Sequence, residues 1–157
     1  MYPQPGQTAP DFTLYDSEKK QVTLSAQREN NVLLLFFPFA FSSTCTEELC
    51  SVRDNLKMYE ALDVQPFGIS TDSLYSLKRF KEEQRLNFPL LSDFNKEISA
   101  AYGSLYENYG YGMKGVTKRA AFIIDKDGVV QYAEVLENAS NQPDFEAIRV
   151  KLREMTG

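Results

Sequence analysis

The chain has 157 residues, of which 43% are hydrophobic and 25% are charged, and these proportions are typical of one globular domain covering residues 1–157. Its formal net charge of −5 gives no electrostatic reason to expect nucleic acid or an anionic membrane as a partner. No apolar run reaches the ~18 residues that would span a bilayer, and the N-terminal sequence lacks the basic and apolar regions of a signal peptide, so we expect a cytoplasmic protein.

The first half of the chain begins with strand patterns and then changes to a helical period. Residues 12–15 and 21–24 flank a short polar turn and are predicted to form an antiparallel hairpin. Residues 32–37 form a continuous apolar run of strand length, which is typical of a buried central strand. Apolar residues then recur at helical spacing from 44 to 62, which predicts one helix there.

The second half continues to alternate between strand and helix patterns. Its predicted elements are a strand at 65–70, a helix capped near Asp72 or Ser73, a loop with a short extended piece at 87–93, a short helix at 95–102, an irregular Tyr-rich segment at 103–118, a hairpin of 119–125 with 129–137, and a last helix from about Pro143. This order indicates an α/β fold in which helices flank a central mixed sheet. The Tyr-rich segment fits either an association surface or packing over its own domain.

The residue types that are missing restrict the chemistry. The chain contains two cysteines and no histidine. A Cys–His or Ser–His pair of the hydrolase kind therefore cannot form, and a structural zinc site lacks most of its usual ligands. Two cysteines in a cytoplasmic chain favour a catalytic role over a structural disulfide.

Cys45 follows the central strand and a turn, in the first turn of the predicted helix. Thr44 and Glu47 have the capping-box spacing, which predicts that the helix starts just before Cys45. The unpaired N–H groups and partial positive charge at a helix start favour the thiolate, which is the nucleophile in cysteine chemistry. We therefore interpret Cys45 as reactive rather than as a small buried hydrophobe, with its sulfur half buried and half reachable. Because a helix terminus stabilises an anion by only roughly 0.3–2 kcal/mol, we also expect a cation nearby.

Cys45 and Cys50 have four residues between them, which is not the C-x-x-C spacing of a thioredoxin-type dithiol. On one regular helix their Cα atoms lie about 8.7 Å apart, whereas a disulfide requires less than about 7 Å. Two interpretations fit this geometry. Either Cys50 is inert, or the first helical turns unwind so that Cys50 can resolve an oxidised Cys45.

The motif Pro38-x-x-x-Ser42-x-x-Cys45 resembles the active-site motif of the peroxiredoxins. Four further segments resemble family segments in the expected order, so that the resemblance covers almost the whole chain: APDF at 9–12, GISTDS at 68–73, FPLLSD at 88–93 and RAAFIID at 119–125. The resemblance implies a thioredoxin-like fold and a thiol peroxidase.

The resemblance also implies a role for each residue that matches the family's site. Cys45 would be the peroxidatic cysteine, which attacks the peroxide and becomes a sulfenic acid. Ser42 would form hydrogen bonds with the peroxide and the sulfur, and Pro38 would shield the site from water. Arg119 would be the active-site cation, and Glu48 would orient it.

Within the family, FPFAF at 37–41 and CTEEL at 45–49 look most like the alkyl hydroperoxidase E-like group. The Cys45-x4-Cys50 spacing is that of the bacterioferritin-comigratory (PrxQ) group, in which the second cysteine resolves the first within one chain. No cysteine follows Cys50, which argues against a resolving cysteine near the C-terminus.

The activity that this resemblance implies is reduction of hydrogen peroxide and alkyl hydroperoxides without any cofactor, whether metal, haem or flavin. A thioredoxin-like or glutaredoxin-like protein would return the enzyme to its thiol form, and a homodimer is expected because many peroxiredoxins form one. The alternatives are a one-cysteine cycle with Cys50 inert, a non-enzymatic peroxide sensor, and a thioredoxin-like disulfide reductase, which the cysteine spacing disfavours.

Overall fold

The computed structural model describes residues 1–156. Its strands, in chain order, are β1 (Thr13–Asp16), β2 (Gln21–Thr23), β3 (Asn31–Phe36), β4 (Val64–Ser70), β5 (Leu90–Ser92), β6 (Arg119–Ile124) and β7 (Val130–Leu136). They form one seven-stranded sheet in the order β2-β1-β5-β4-β3-β6-β7. The sheet is mixed, because β3 is parallel to β4 but antiparallel to β6. The predicted α/β architecture and both predicted hairpins, β1–β2 and β6–β7, are confirmed.

The apolar run that predicted a central strand corresponds to β3, in which all six residues are buried. Alternate side chains of this strand point to opposite faces of the sheet, so β3 contributes to two cores. Leu33 and Leu35 belong to the same core as Cys45, whereas Leu34 belongs to the core on the other face, with Tyr102. Cys45 is therefore held on one defined face of the sheet.

The helices are α1 (Ser43–Asp54), α2 (Leu56–Ala61), α3 (Leu74–Gln84), α4 (Glu97–Ala101) and α5 (Phe145–Thr156). The prediction of one helix over 44–62 is wrong, because Asn55 separates α1 from α2 with φ −113° and ψ 16°. The Asn55 side chain donates to the Ser51 carbonyl at 2.8 Å, which is the local bonding by which asparagine competes with helical backbone. None of the helices within residues 1–156 is long and apolar enough to cross a membrane.

The Tyr-rich segment is irregular, as predicted, with one short 3-10 turn at Gly110–Gly112. Tyr102, immediately before this segment, is buried, and its hydroxyl donates to the Pro10 carbonyl at 2.7 Å. Tyr106 donates to the Glu137 carbonyl at 2.8 Å, whereas Tyr111 is exposed. The two ends of this segment therefore pack over its own domain, whereas residues 110–114 are exposed.

Candidate active site

The reactive-cysteine candidate lies where β3 gives way to α1. Residues 37–42, here called the active-site loop, connect the two elements, and Cys45 is the third residue of α1. The predicted capping box is wrong, because the cap position is Ser42 and Thr44 already lies inside the helix. No side chain caps the first turn, so its backbone N–H groups keep their positive end directed at the loop.

Arg119 is the cation that the sequence analysis called for beside the sulfur. It opens β6, which runs antiparallel to β3, so it lies just beyond the end of β3 where the active-site loop starts. Its Nη2 donates to Cys45 Sγ at 3.2 Å, and its Nη1 donates to Glu48 Oε1 at 2.6 Å. The residue is 1% exposed. Although burial alone would lower the pKa of Arg119, the charges of Glu48 and Cys45 raise it above its ordinary value, so the guanidinium stays charged.

Glu48 follows Cys45 by three positions on α1, which places both side chains on one side of the helix. It is 0% exposed, and within the described residues its Oε2 has no hydrogen-bond partner. Burial raises the pKa of Glu48 to about 7, and the adjacent Arg119 charge opposes this shift. The Glu48 carboxylate thus fixes the guanidinium through Oε1. Because Oε2 is buried without a partner, ionisation of Glu48 remains costly.

A main-chain group that the sequence analysis missed completes the environment of Arg119. The carbonyl of Ala139, in the connection after β7, accepts from Arg119 Nη2 at 2.9 Å and from Nε at 3.3 Å. Because every residue type carries this carbonyl, no pattern of side chains could have pointed to it.

Cys45 itself is 0% exposed, so the expectation of a half-reachable sulfur is wrong for this arrangement. The apolar stripe of α1 draws Cys45 into the core together with Leu49, and the Arg119 guanidinium lies directly against the sulfur. A peroxide can therefore reach the sulfur only after a local opening.

Two other predicted site residues lie in the active-site loop. Pro38 is buried, next to the end of β3. Ser42 is half-buried, and its hydroxyl donates to the Phe39 carbonyl at 3.0 Å. The Thr46 hydroxyl donates to the Ser42 carbonyl at 2.7 Å, which ties the loop to the first turn of α1.

Cys50 shares α1 with Cys45 but has a different environment. Both cysteines are free thiols, and Cys50 is half-buried. Its Sγ donates to the Gln84 side-chain oxygen at 3.6 Å. Since α1 is continuous over Ser43–Asp54, the two Cα atoms are held about 8.7 Å apart, beyond the reach of a disulfide.

The AhpC/TSA family model matches residues 5–133 of the chain. The chain belongs to this family, the peroxiredoxins. Alkyl hydroperoxide reductase E of Mycobacterium tuberculosis is 39% identical over 133 residues, which cover 83% of this chain and 84% of that protein. The crystal structure of peroxidoxin BcpB from the same species has 30% sequence identity and a TM-score of 0.87, and the match covers 98% of this chain and 99% of that one.

A PrxQ variant of Xylella fastidiosa shares the fold, with 23% identity, a TM-score of 0.88, and coverage of 100% of this chain and 99% of that chain. As a peroxiredoxin, the protein is a thiol peroxidase that acts on peroxides, and its family implies a thioredoxin-like reductant. The predictions of fold and peroxidase activity are confirmed, in preference to the disulfide reductase and the non-enzymatic sensor.

This peroxiredoxin has an open cavity of about 490 Å³ beside the site. Tyr106, Tyr109 and Ala139 are among its lining residues, so the cavity borders the carbonyl that holds Arg119. The Tyr109 ring packs edge-on against Phe39 of the active-site loop, with centroids 5.7 Å apart. The cavity therefore lies between the side chain that packs on the active-site loop and the carbonyl that bonds to Arg119.

Proposed function

We propose that Cys45 is the peroxidatic cysteine of this enzyme and that it reduces both hydrogen peroxide and alkyl hydroperoxides. The single observation that carries the proposal is the 3.2 Å contact between Arg119 Nη2 and Cys45 Sγ. A buried guanidinium that donates to sulfur stabilises the thiolate, which is the form that attacks a peroxide.

The chemical step oxidises the sulfur and reduces the peroxide. The Cys45 thiolate attacks the terminal oxygen of R–O–O–H, so that an S–O bond forms as the O–O bond breaks. The leaving RO⁻ takes a proton and departs as alcohol or water, and Cys45 becomes a sulfenic acid. In this proposal Arg119 stabilises the charge that develops on the leaving oxygen, because its Nη2 already donates to the reacting sulfur.

The other site residues act around this pair. Glu48 holds the guanidinium through Nη1, so that Nη2 stays directed at the sulfur. Pro38, buried beside the site, excludes water. The Ser42 hydroxyl, which now donates to the Phe39 carbonyl, can turn to bond the peroxide because a hydroxyl rotates freely about its bond.

We infer that the opening that admits a peroxide moves the Ala139 carbonyl away from Arg119, because this carbonyl accepts from two of the guanidinium donors. That movement frees two guanidinium donors, which the oxygens of an incoming peroxide can then accept from. The neighbouring cavity, with Tyr106 and Tyr109, offers aromatic surface for the carbon chain of an alkyl hydroperoxide. The similar mycobacterial protein is named an alkyl hydroperoxide reductase, which supports this substrate class.

Recycling is proposed to use Cys50. After α1 unwinds at its start, the Cys50 thiol attacks the Cys45 sulfenic acid, an S–S bond forms, and water leaves. A thioredoxin-like or glutaredoxin-like dithiol then reduces the disulfide. The half-buried position of Cys50 and its weak 3.6 Å bond to Gln84 leave the thiol free to take part.

A one-cysteine cycle is the second candidate, because the intact helix α1 keeps Cys50 out of disulfide range. A cytoplasmic location is proposed from the requirement for a dithiol donor in both cycles. A homodimer is proposed from the family, and sedimentation at micromolar concentration tests it.

The deciding experiment is titration of the reduced protein with peroxide, followed by intact mass and by counting free thiols. We expect one equivalent to remove about 2 Da from a single monomer, whereas a stable gain of about 16 Da would indicate the one-cysteine cycle. Cys50→Ser should show that gain of about 16 Da and serves as the matched control. Cys45→Ser should consume no peroxide, and consumption near the wild-type rate would refute the assignment of Cys45.

A further inference from the structure

We propose that Asp72 is a positioning residue of this active site: its carboxylate holds the active-site loop in place and thereby controls how readily the start of α1 unwinds. The proposal rests on the proposed function, because unwinding of α1 is what brings Cys45 to Cys50. Asp72 lies between β4 and α3. Because β4 is parallel to β3, this connection and the active-site loop emerge at the same edge of the sheet.

The Asp72 carboxylate is itself held firmly by neighbouring strands. Its Oδ2 accepts from the Ser70 hydroxyl at 2.7 Å and from the Ala40 backbone N–H at 2.8 Å. The Ser92 hydroxyl donates to the Asp72 main-chain carbonyl at 2.6 Å. The carboxylate thus links Ser70, at the end of β4, to the active-site loop through charge-assisted bonds, and Ser92 of β5 fixes the Asp72 main chain.

The backbone next to Ala40 needs such support. Phe41 has φ +73°, in the left-handed region that a large aromatic residue rarely adopts. Its side chain is 49% exposed and contacts Phe80 edge-on, with centroids 5.3 Å apart, so burial supplies only part of the support. A strained backbone persists only where its surroundings hold it, and the Asp72 bond acts on the residue immediately before the strain.

The Ala40–Asp72 bond also differs from the other hydrogen bonds of residues 38–42 in where its partner lies. Within residues 1–156, it is the one hydrogen bond that joins residues 38–42 to a part of the chain outside the loop and α1. The Ser42 hydroxyl bonds only to Phe39, inside the loop. Releasing Asp72 therefore leaves the loop held by the Phe37 N–H bond to the Ile69 carbonyl at its start, by its bonds to α1 at its end, and by packing between them.

The far end of α1 is fastened separately. Arg53 Nη1 donates to the Gln84 carbonyl at 2.5 Å, and the Asn87 side chain donates to the Arg53 carbonyl at 3.2 Å. These bonds hold the helix on the side of Cys50 that lies away from Cys45. Unwinding that brings Cys45 to Cys50 must therefore start at the loop end. There the Ala40–Asp72 bond restrains the loop, and the bonds of Arg119 to Cys45 and Glu48 restrain the helix.

Hydrogen exchange of the reduced protein tests the restraint without any redox step. In Asp72→Ala we expect the amides of residues 43–50 to exchange about tenfold faster, because a hydrogen bond to a charged group is lost. Asp16→Ala is the matched control, since Asp16 accepts two backbone N–H bonds in the β1–β2 turn, at 2.8 and 2.9 Å. Equal exchange of residues 43–50 in Asp72→Ala and the wild type would overturn the proposal.

The partition of oxidised Cys45 provides a second readout that lost stability alone would not move. With excess peroxide, the sulfenic acid either forms the disulfide with Cys50 or takes a second oxygen from peroxide to give the sulfinic acid. In Asp72→Ala we expect the ratio of disulfide to sulfinic acid to rise by about tenfold, with Asp16→Ala at the wild-type ratio. Asp72→Asn keeps an acceptor for the Ala40 N–H, so its ratio of disulfide to sulfinic acid should lie between those of the wild type and Asp72→Ala.

The outcomes separate this proposal from the proposed recycling by Cys50. Faster exchange in Asp72→Ala together with a wild type that forms no disulfide would support the restraint and refute Cys50 as the resolving residue. A wild-type disulfide with unchanged exchange and an unchanged ratio in Asp72→Ala would support Cys50 and overturn the role of Asp72.

Discussion

Cys45 and Cys50 lie on one helix and pack against the same core, yet they differ in burial and in polar partner. Five positions correspond to about 500° of helical rotation, so the two sulfurs face directions about 140° apart. Cys45 faces the core and a buried guanidinium, whereas Cys50 is half-buried against an amide oxygen at 3.6 Å. The face of the helix, rather than closeness in sequence, therefore decides which thiol contacts the guanidinium.

Removing the Arg119 guanidinium should remove most of the difference between the two thiols, and we expect it to have the largest effect on the rate of peroxide consumption. In Arg119→Met, the sulfur loses its donor and the buried Glu48 loses its partner. We expect the second-order rate of peroxide consumption to fall by about 10²–10³-fold, as when one aimed donor is removed from an active site. Stopped-flow peroxide assays measure this rate. Arg119→Lys keeps the positive charge but lacks the planar guanidinium with its several donors, so it should recover only part of the wild-type rate. Full recovery of the rate would contradict the geometric role of Arg119.

Neutralising Glu48 should change the dependence of stability on pH. Because the folded pKa of about 7 lies above the ordinary value of 4.5, this group stabilises the fold fully below pH 4.5, and that contribution is lost as the pH rises through 7. Between these limits, the unfolding free energy of the wild type should fall by about 3 kcal/mol relative to Glu48→Gln. Urea unfolding of both proteins at several pH values measures it, and parallel profiles would contradict the raised pKa.

The smallest expected effect compares the two thiols directly. Because Cys45 is 0% exposed and Cys50 is half-buried, a bulky maleimide should label Cys50 about tenfold faster in the native reduced protein. Peptide mass spectrometry after a short pulse measures the ratio, and the same pulse in urea should remove the preference. Faster labelling of Cys45 in the native protein would contradict this prediction and would mean that the residues that bury its sulfur open more readily than expected.

Much of the fold followed from local patterns, because the signals for strands and hairpins lie in consecutive residues. The uninterrupted apolar run identified β3, and the polar turns identified both hairpins. The break at Asn55 was missed, since the apolar period continues through it and only a side-chain bond to the Ser51 carbonyl marks the interruption.

The candidate site was predictable only in part, because its contacts join distant parts of the chain. Arg119 and Glu48 were found through resemblance to a family, and the structure brings both to Cys45, although Arg119 lies 74 positions away from it. The contact of Asp72 with the Ala40 N–H and that of Arg119 with the Ala139 carbonyl each involve a main-chain group, which leaves no mark in a residue pattern.

The contact between the Ala139 carbonyl and Arg119 should tolerate substitution of residue 139. Because the group that caps the guanidinium belongs to the peptide backbone, exchanging the methyl side chain of residue 139 leaves the acceptor in place. Sequence drift at that position can therefore alter the shape of the neighbouring cavity while the carbonyl that accepts from Arg119 stays in place.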